Sequence, residues 1–198
     1  MDATIHLVRH GQVANPSNVI YGRLPGYNLS ERGKKQAEAA AQRLADRDIG
    51  AIWASPLERA QETAAAIAAY HDVEVTTDER LTESATTLEG LGRSLIGVIS
   101  SPRHWWSLRN PLRPSWGETF SEIRERTLSA VREAVEVASP QEVVIVSHQA
   151  PVLITRLALT RRRVPPWLGG VPCTTGSVTT LVLKDDKVVS AAYFEPAA

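Results

Sequence analysis

Short apolar runs recur along the chain, and they predict the strands of a sheet. Thr4–Val8 alternates apolar and polar positions and predicts a strand, as does the run Ala51–Ala54. Glu142–Ser147 is an unbroken apolar run, which is typical of a strand in the buried centre of a parallel sheet. Ser177–Phe194 predicts two further strands around an Asp-Asp turn.

Between these strands, apolar residues return at three- and four-residue spacing, which predicts amphipathic helices. The predicted helices cover about Glu31–Asp46, Pro56–Tyr70, Phe120–Ala138 and Ala150–Thr160. Ser30 is a favourable N-cap for the first of them. Strands that alternate with such helices favour an α/β fold with helices on both faces of the sheet. We expect the 198 residues to form a single domain, 1–198.

The overall charge and the cysteine content exclude several classes of function. The 22 Lys and Arg residues balance the 22 Asp and Glu residues, so the chain lacks the basic excess typical of nucleic-acid binders. Cys173 is the single cysteine, which excludes an intramolecular disulfide and a metal site built from cysteines. No basic N-terminal region precedes a long apolar stretch, and no apolar run approaches the ~18 residues that span a bilayer. We therefore expect a cytoplasmic protein with neither nucleic acid nor membrane as a partner.

Histidines and arginines follow three of the predicted strands, near the point where each strand ends. Arg9 and His10 follow the first strand, Arg59 lies shortly after the second, and His148 follows the central strand. Ligands of α/β proteins gather at the carboxyl ends of the strands, so we expect these side chains to meet at one edge of the sheet. Arginine offers a planar fork of donors to phosphate oxygens, and histidine can act as a nucleophile. The pattern therefore predicts a site for a phosphate ester.

The chemistry of such an ester sets what else the site needs. A phosphate monoester carries nearly two negative charges near neutral pH, which two arginines and a protonated histidine would neutralise. Its hydrolysis is among the slowest uncatalysed reactions, so the site must stabilise charge and also protonate the leaving oxygen. We therefore expect two arginines, a protonated histidine and a separate proton donor.

Four sequence motifs resemble those of a known family. The segments LVRHGQVANP, SPLERAQETA, RLTES and VIVSHQ occur in the order and at the intervals found in the histidine phosphatases, the phosphoglycerate mutase-like superfamily. The resemblance covers nearly the whole chain. It implies a three-layer α/β sandwich around a mixed, mostly parallel sheet, and it implies that no metal ion or other cofactor is needed.

The resemblance also implies roles for five residues. His10 is implied as the nucleophile that becomes phosphohistidine. Glu83 is implied as the acid that protonates the leaving group and then activates water. Arg9, Arg59 and His148 are implied to surround the transferred phosphoryl group.

The contacts to the rest of the substrate depart from the family pattern. We expect them from Asn15, Tyr21, Gly22 and Gln149, although Asn15 is one position away from the usual asparagine and Gln149 replaces a common glycine. Val13 stands where relatives carry a hydroxyl group, so we expect this chain to offer its substrate a methyl surface there. These departures concern substrate contacts and leave the phosphoryl chemistry intact.

Several residues near the motifs have a structural interpretation. His6 lies inside the first strand, where we expect it to be packed or hydrogen-bonded, and we expect Cys173 to be a loop or packing residue. Glu79 and Glu89 flank Glu83 and are the neighbouring carboxylates that could be confused with the proton donor.

A tryptophan- and arginine-rich segment, residues 101–118, lies within an irregular excursion at about 91–119. Its marked residues are Arg103, His104, Trp105, Trp106, Arg109, Arg113 and Trp116. One interpretation is a lid or wall over the pocket, with apolar surface for an organic group and arginines for a second anion. The alternative is a surface excursion whose tryptophans plug the domain or form a dimer interface, and a homodimer is left open.

Together these features predict a metal-independent phosphomonoesterase that acts on a small phosphorylated metabolite through a covalent phosphohistidine. The first alternative is a phosphoglycerate mutase-like phosphomutase, an isomerase with the same intermediate, although no adjacent arginine pair precedes the second histidine. The second alternative is a non-catalytic binding domain on the same fold, which the presence of every core residue disfavours.

Overall fold

A mixed six-stranded sheet, with the order β3-β2-β4-β1-β5-β6, forms the centre of the computed structural model, which describes residues 2–92, 117–164 and 170–197. The strands are β1 (Ala3–Arg9), β2 (Ile49–Ala54), β3 (Val75–Thr77), β4 (Glu142–Ser147), β5 (Val178–Lys184) and β6 (Lys187–Phe194). The first four strands are parallel to one another, and β5 and β6 continue the sheet in antiparallel pairing. The apolar run of β4 therefore lies at the centre of the parallel part, as its composition predicts.

Helices cover both faces of the sheet. In the described ranges they are α1 (Glu31–Leu44), α2 (Glu58–Ala68), α3 (Phe120–Ala138) and α4 (Gln149–Leu159). The apolar stripes of α1 and α2 pack on one face, and those of α3 and α4 pack on the other. The three-layer α/β sandwich with a mixed, mostly parallel sheet is thereby confirmed. None of these helices combines the length and the apolar composition that a bilayer crossing requires.

The predicted elements match the observed ones closely, with differences at their ends. The second helix begins at Glu58 instead of Pro56, because the Ser55 side chain accepts the Leu57 N–H at 3.3 Å and keeps the preceding turn outside the helix. The short strand β3 lies in a stretch that the sequence pattern leaves irregular, since three residues at a sheet edge carry too little periodicity to be recognised. Residues 93–116 lie outside the described residues, and they include most of the tryptophan- and arginine-rich segment 101–118.

The register of the parallel strands brings their carboxyl ends to the same level. Arg9 of β1 pairs with Ser147 of β4, and Ala54 of β2 pairs with Val146 of β4. His10, the residue after β1, continues this alignment, because its N–H donates to the Ser147 carbonyl at 3.0 Å. The segments that follow β1, β2 and β4 therefore start side by side.

Two glycines let the loop after β1 lie directly against the start of α1. A Cβ on Gly11 would lie 2.3 Å from the Gly33 carbonyl oxygen, and a Cβ on Gly33 would lie 2.0 Å from the Gln12 carbonyl oxygen. The same loop is held by the Ser30 N–H, which donates to the Gln12 carbonyl at 2.9 Å. Because these glycines have no Cβ, the residues after His10 can approach α1 this closely.

Gly33→Ala is expected to destabilise the protein by about 2 kcal/mol, since the added methyl group must push the Gln12 backbone away. Urea denaturation measures this loss. Gly170→Ala is the matched control, because a Cβ there meets no heavy atom of the described residues within 4 Å and no strained φ is found at this glycine. Equal stability of the two variants would contradict the close packing of the loop on α1.

Candidate functional site

His10 is an unprotonated histidine with a free ring nitrogen. The side chain is buried, and its Nδ1 lies 2.7 Å from the Gly11 carbonyl oxygen. A carbonyl can only accept, so Nδ1 carries the hydrogen and Nε2 carries the lone pair. Burial, and then the positive charges of Arg59 and Arg9, lower the pKa of His10 to about 3. No hydrogen bond engages Nε2 within the described part of the chain, so this lone pair is available for nucleophilic attack.

Arg59 lies in the first turn of α2, and its side chain is fully buried. Its Nη2 donates to the Gly22 carbonyl at 2.6 Å, and its guanidinium carbon lies 4.9 Å from the centre of the Tyr21 ring. Its Nε and Nη1 are buried without a hydrogen-bond partner among the described residues. Arg9 shows the same pattern, because Nη1 donates to the Cys173 carbonyl at 2.6 Å while Nε is buried and unpartnered.

His148 directs one ring nitrogen to the protein and the other to the site. Its Nε2 lies 2.7 Å from Ser55 Oγ, and the two histidine rings, of His10 and His148, have centres 5.0 Å apart. Ser55 Oγ accepts the Leu57 N–H and still carries a hydroxyl hydrogen, so we assign the Ser55 hydroxyl as the donor to His148 Nε2. Nδ1 of His148 then carries the ring hydrogen, and this atom is buried without a partner among the described residues.

The protonated histidine expected beside a phosphate is not present at His148 in the free protein. His148 is completely buried, and burial is the main cause that lowers its pKa well below the usual value. The neighbouring His10, Arg59 and Arg9 lower this pKa further. His148 is therefore a neutral hydrogen-bond donor, and the positive charge of the site comes from the two arginines.

The buried, unpartnered atoms of the two arginines and of His148 are all hydrogen-bond donors. They are Arg9 Nε, Arg59 Nε, Arg59 Nη1 and His148 Nδ1. Leaving a buried donor unsatisfied costs roughly 1–3 kcal/mol, and more for a charged group, so folded proteins rarely leave several together. A ligand with several anionic oxygens satisfies them all, which makes this a site for an oxyanion such as a phosphoryl group.

A cavity of about 280 Å³ lies directly in front of His10. Its lining residues are Arg9, His10, Val19, Ile20, Tyr21, Gly22, Glu83, Ser84, Thr86 and Gln149. The structure thus brings the predicted contacts Tyr21, Gly22 and Gln149 together with the predicted nucleophile and the predicted proton donor. This volume is at the lower end of the roughly 300–1,000 Å³ of small-molecule pockets, so it suits a small organic group.

Of the three neighbouring carboxylates Glu79, Glu83 and Glu89, Glu83 is the one that lines this cavity. Its Oε1 accepts from the Ser84 N–H at 2.8 Å, which orients the carboxyl group. Glu89 instead accepts from the Arg23 N–H at 2.7 Å, and Glu79 accepts from the Thr82 hydroxyl at 3.3 Å. Geometry therefore favours Glu83 over both neighbours as a proton donor. Within residues 2–92, 117–164 and 170–197, no three His, Cys, Asp or Glu side chains are grouped so that they could hold a metal ion.

Two expected substrate contacts lie away from the cavity. The Asn15 side-chain amide donates to the Val19 carbonyl at 2.9 Å and accepts from the Val19 N–H at 3.2 Å, so it shapes the loop that forms the cavity wall. Val13 is buried and pairs with Leu29, so its methyl groups do not face a substrate in this cavity. The expected substrate contacts of Asn15 and Val13 are therefore corrected. Hydrogen bonds and strand-like pairing within the protein hold both residues away from the cavity.

His6 and Cys173 have the structural roles that the sequence predicts. His6 is buried and contacts Glu142 Oε2 at 2.7 Å and Thr180 Oγ1 at 2.9 Å. Burial lowers the pKa of His6 although Glu142 opposes this shift. Cys173 is buried in the core beneath α3 and α4, and burial raises the pKa of its thiol.

Two residues of the site were missed although they lie inside a motif. Ser55 holds His148, as described above, and Thr63 joins the nucleophile loop to α2. Thr63 Oγ1 accepts from the Gly11 N–H at 3.2 Å and donates to the Arg59 carbonyl at 2.7 Å. Both occur in SPLERAQETA, eight residues apart, so a search for hydroxyl groups one turn from Arg59 could have found them.

Fold and site together define an α/β protein with a centre of buried histidines and arginines at the edge of its parallel sheet. The sequence model of the histidine phosphatase superfamily (branch 1) matches residues 5–195. The chain therefore belongs to the histidine phosphatase superfamily, as its motifs predict.

Individual relatives agree with this assignment. The chain is 49% identical to the uncharacterized protein Rv0525 of Mycobacterium tuberculosis, over 100% of this chain and 98% of that protein. It is 32% identical to phosphoserine phosphatase 1 of Hydrogenobacter thermophilus, over 77% and 74% of the two chains. Among solved structures, a mycobacterial glucosyl-3-phosphoglycerate phosphatase in complex with VO3 aligns with a TM-score of 0.74 and 29% identity, over 90% of this chain and 92% of that one.

The low pKa of His10 predicts how stability depends on pH. Below pH 6.5 this histidine is mostly protonated in the unfolded chain, while in the folded protein it stays mostly unprotonated down to about pH 3. The free energy of unfolding therefore falls as the pH drops below 6.5, by up to about 1.4 kcal/mol per pH unit for each such histidine.

His10→Asn is expected to reduce the loss of stability between pH 7.5 and pH 5.5 by about 1.4 kcal/mol. Urea denaturation in phosphate-free buffer at the two pH values measures it. A variant that loses as much stability as the parent protein would contradict the neutral, buried state of His10.

Proposed function

We propose that this protein hydrolyses the phosphate monoester of a small metabolite through a covalent intermediate on His10, without a metal ion or other cofactor. The observation that carries the proposal is the group of buried, unpartnered donors of Arg9, Arg59 and His148 around a neutral nucleophile. These donors fit the oxygens of a phosphoryl group, and the free Nε2 of His10 fits attack on its phosphorus.

In the first step, the Nε2 lone pair of His10 forms a bond to phosphorus as the bond from phosphorus to the leaving oxygen breaks. Glu83, in its protonated form, gives its proton to that oxygen, and the product leaves as an alcohol. The phosphorylated ring keeps its Nδ1 hydrogen on the Gly11 carbonyl, which supports the positive charge that the ring acquires.

In the second step, water attacks the phosphorus and gives one proton to the Glu83 carboxylate. The bond between phosphorus and Nε2 breaks, its electron pair returns to His10, and inorganic phosphate leaves. Glu83 is then protonated again and His10 is neutral, so the site is ready for the next turnover. The cavity beside Glu83 opens to solvent, which supports the entry of water at this stage.

The relatives support hydrolysis as the reaction class. The Hydrogenobacter thermophilus relative is named a phosphoserine phosphatase, and the mycobacterial structure is named a glucosyl-3-phosphoglycerate phosphatase. Both names describe removal of a phosphate from a small molecule, so we take a small phosphomonoester as the substrate class here.

His10→Ala is expected to lower the turnover of p-nitrophenyl phosphate by at least about 10³-fold, because no other group can form the covalent intermediate. Phosphate release measures the effect, and circular dichroism checks the fold. His71→Ala is the matched control, since His71 lies beyond the end of α2, and it should keep the parental rate. Parental activity of His10→Ala would contradict the proposed nucleophile.

The mutase alternative is tested on 3-phosphoglycerate and a panel of phosphorylated metabolites. We expect free phosphate as the product for each substrate that reacts, with no isomerised ester. Isomerisation of 3-phosphoglycerate faster than phosphate release would assign the protein to the mutases.

A further inference from the structure

The segment that carries Glu83 is held through its backbone carbonyls. Arg126 of α3 donates from Nη1 to the Arg80 carbonyl at 2.6 Å and to the Thr82 carbonyl at 2.7 Å. Arg23 donates from Nε to the Glu83 carbonyl at 2.7 Å. Two guanidinium groups from distant parts of the chain therefore fix three carbonyls in the four residues that end at Glu83.

Glu118 joins these two guanidinium groups. Its Oε1 accepts from Arg126 Nε at 2.5 Å, and its Oε2 accepts from Arg126 Nη2 at 2.9 Å, which is the paired geometry of a strong contact. Oε2 also accepts from Arg23 Nη2 at 3.0 Å and lies 3.4 Å from the Ala85 N–H. One carboxylate thus fixes the orientation of both arginines and also reaches the backbone two residues after Glu83.

The charges explain why this carboxylate is needed. Without it, two positive guanidinium groups would lie close together and repel each other while they contact the same short segment. The Glu118 and Arg126 side chains are only 14% and 17% exposed, so solvent weakens their interaction less than at an open surface. Removal of the negative charge is therefore expected to loosen both arginines, and with them the Glu83 backbone.

None of these three side chains lines the cavity in front of His10. Glu118, Arg23 and Arg126 line a separate surface cavity, which shares no lining residue with the first. A role in the reaction therefore has to pass through a residue that lines the first cavity, and Glu83 is the acidic residue there whose backbone carbonyl this network holds.

We propose that Glu118 is a positioning residue, which holds Arg23 and Arg126 on the backbone of Glu83 and thereby keeps the Glu83 carboxyl group at the leaving oxygen. This inference rests on the proposed function, since it requires Glu83 as the proton donor. Its consequence is specific, because proton donation matters greatly for a basic leaving group and little for an acidic one.

The test compares kcat/KM for two substrates, β-glycerol phosphate with a basic leaving group and 2,4-dinitrophenyl phosphate with an acidic one. This constant reports the steps up to phosphorylation of His10, so slow hydrolysis of the intermediate does not mask the effect. Glu118→Gln is expected to lower the value for β-glycerol phosphate about 10–100-fold and to change that for 2,4-dinitrophenyl phosphate less than about threefold, as a partial loss of an acid catalyst worth about 10²–10⁴-fold.

Three further variants make the result specific. Glu83→Gln should lower kcat/KM for β-glycerol phosphate selectively, and by more than Glu118→Gln does. In the double variant, Glu118→Gln should cause no further loss of kcat/KM for β-glycerol phosphate. Arg126→Lys keeps the charge but not the paired contact, so it should resemble Glu118→Gln and replaces it if that variant fails to fold. Glu133→Gln is the matched control, because it removes an exposed ion pair of Arg80 from the same helix and should leave the ratio of the two constants unchanged.

The outcomes separate this inference from the function it rests on. A selective loss in Glu83→Gln without one in Glu118→Gln and Arg126→Lys overturns the positioning role and leaves the proposed function standing. Equal losses on both substrates in Glu118→Gln and Arg126→Lys also overturn it, since that pattern indicates general structural damage. No selective loss in Glu83→Gln itself overturns the assignment of the acid and this inference together.

Discussion

Burial of the Arg59 guanidinium group without a direct ion pair to any carboxylate of the described residues is the constraint on which the site depends. A buried charge is costly unless it is paired, and Arg59 obtains only the Gly22 carbonyl and the face of the Tyr21 ring. Its remaining nitrogens are directed where nothing in the described chain accepts a hydrogen bond. The protein therefore keeps a buried positive charge whose free donors fit an anion, at a local cost in stability.

Burial, and then this charge, determine the protonation state of the two histidines. Together with burial, it lowers the pKa of His10 and of His148, so that both rings are neutral in the free protein. Because the hydrogen of His10 is held by Gly11, its other nitrogen can attack, whereas the hydrogen of His148 is directed by Ser55 toward the site. In the proposed mechanism, two identical side chains thus serve as a nucleophile and a hydrogen-bond donor because of the different groups that they contact.

Much of the fold and the centre of the site could be predicted from the sequence, because both depend on local patterns. Apolar periodicity sets the strands. Arg9 ends β1, and His10 and His148 directly follow β1 and β4, so the sheet brings the three residues together. The neutral state of His148 depends on desolvation, which no sequence pattern reports. The position of Asn15 depends on a loop bond to Val19. The network of Glu118 joins residues 95 and 8 positions apart, so only the folded chain brings it together.

The most direct test of the account is to trap the phosphorylated protein and locate the phosphate. The protein is mixed with a substrate in excess, quenched in alkali within one turnover because phosphohistidine is labile in acid, and analysed by mass spectrometry and ³¹P NMR. We expect phosphate on His10 alone, at Nε2. Phosphate on another residue, or none on the protein while product forms within that first turnover, would contradict a neutral His10 that attacks phosphorus.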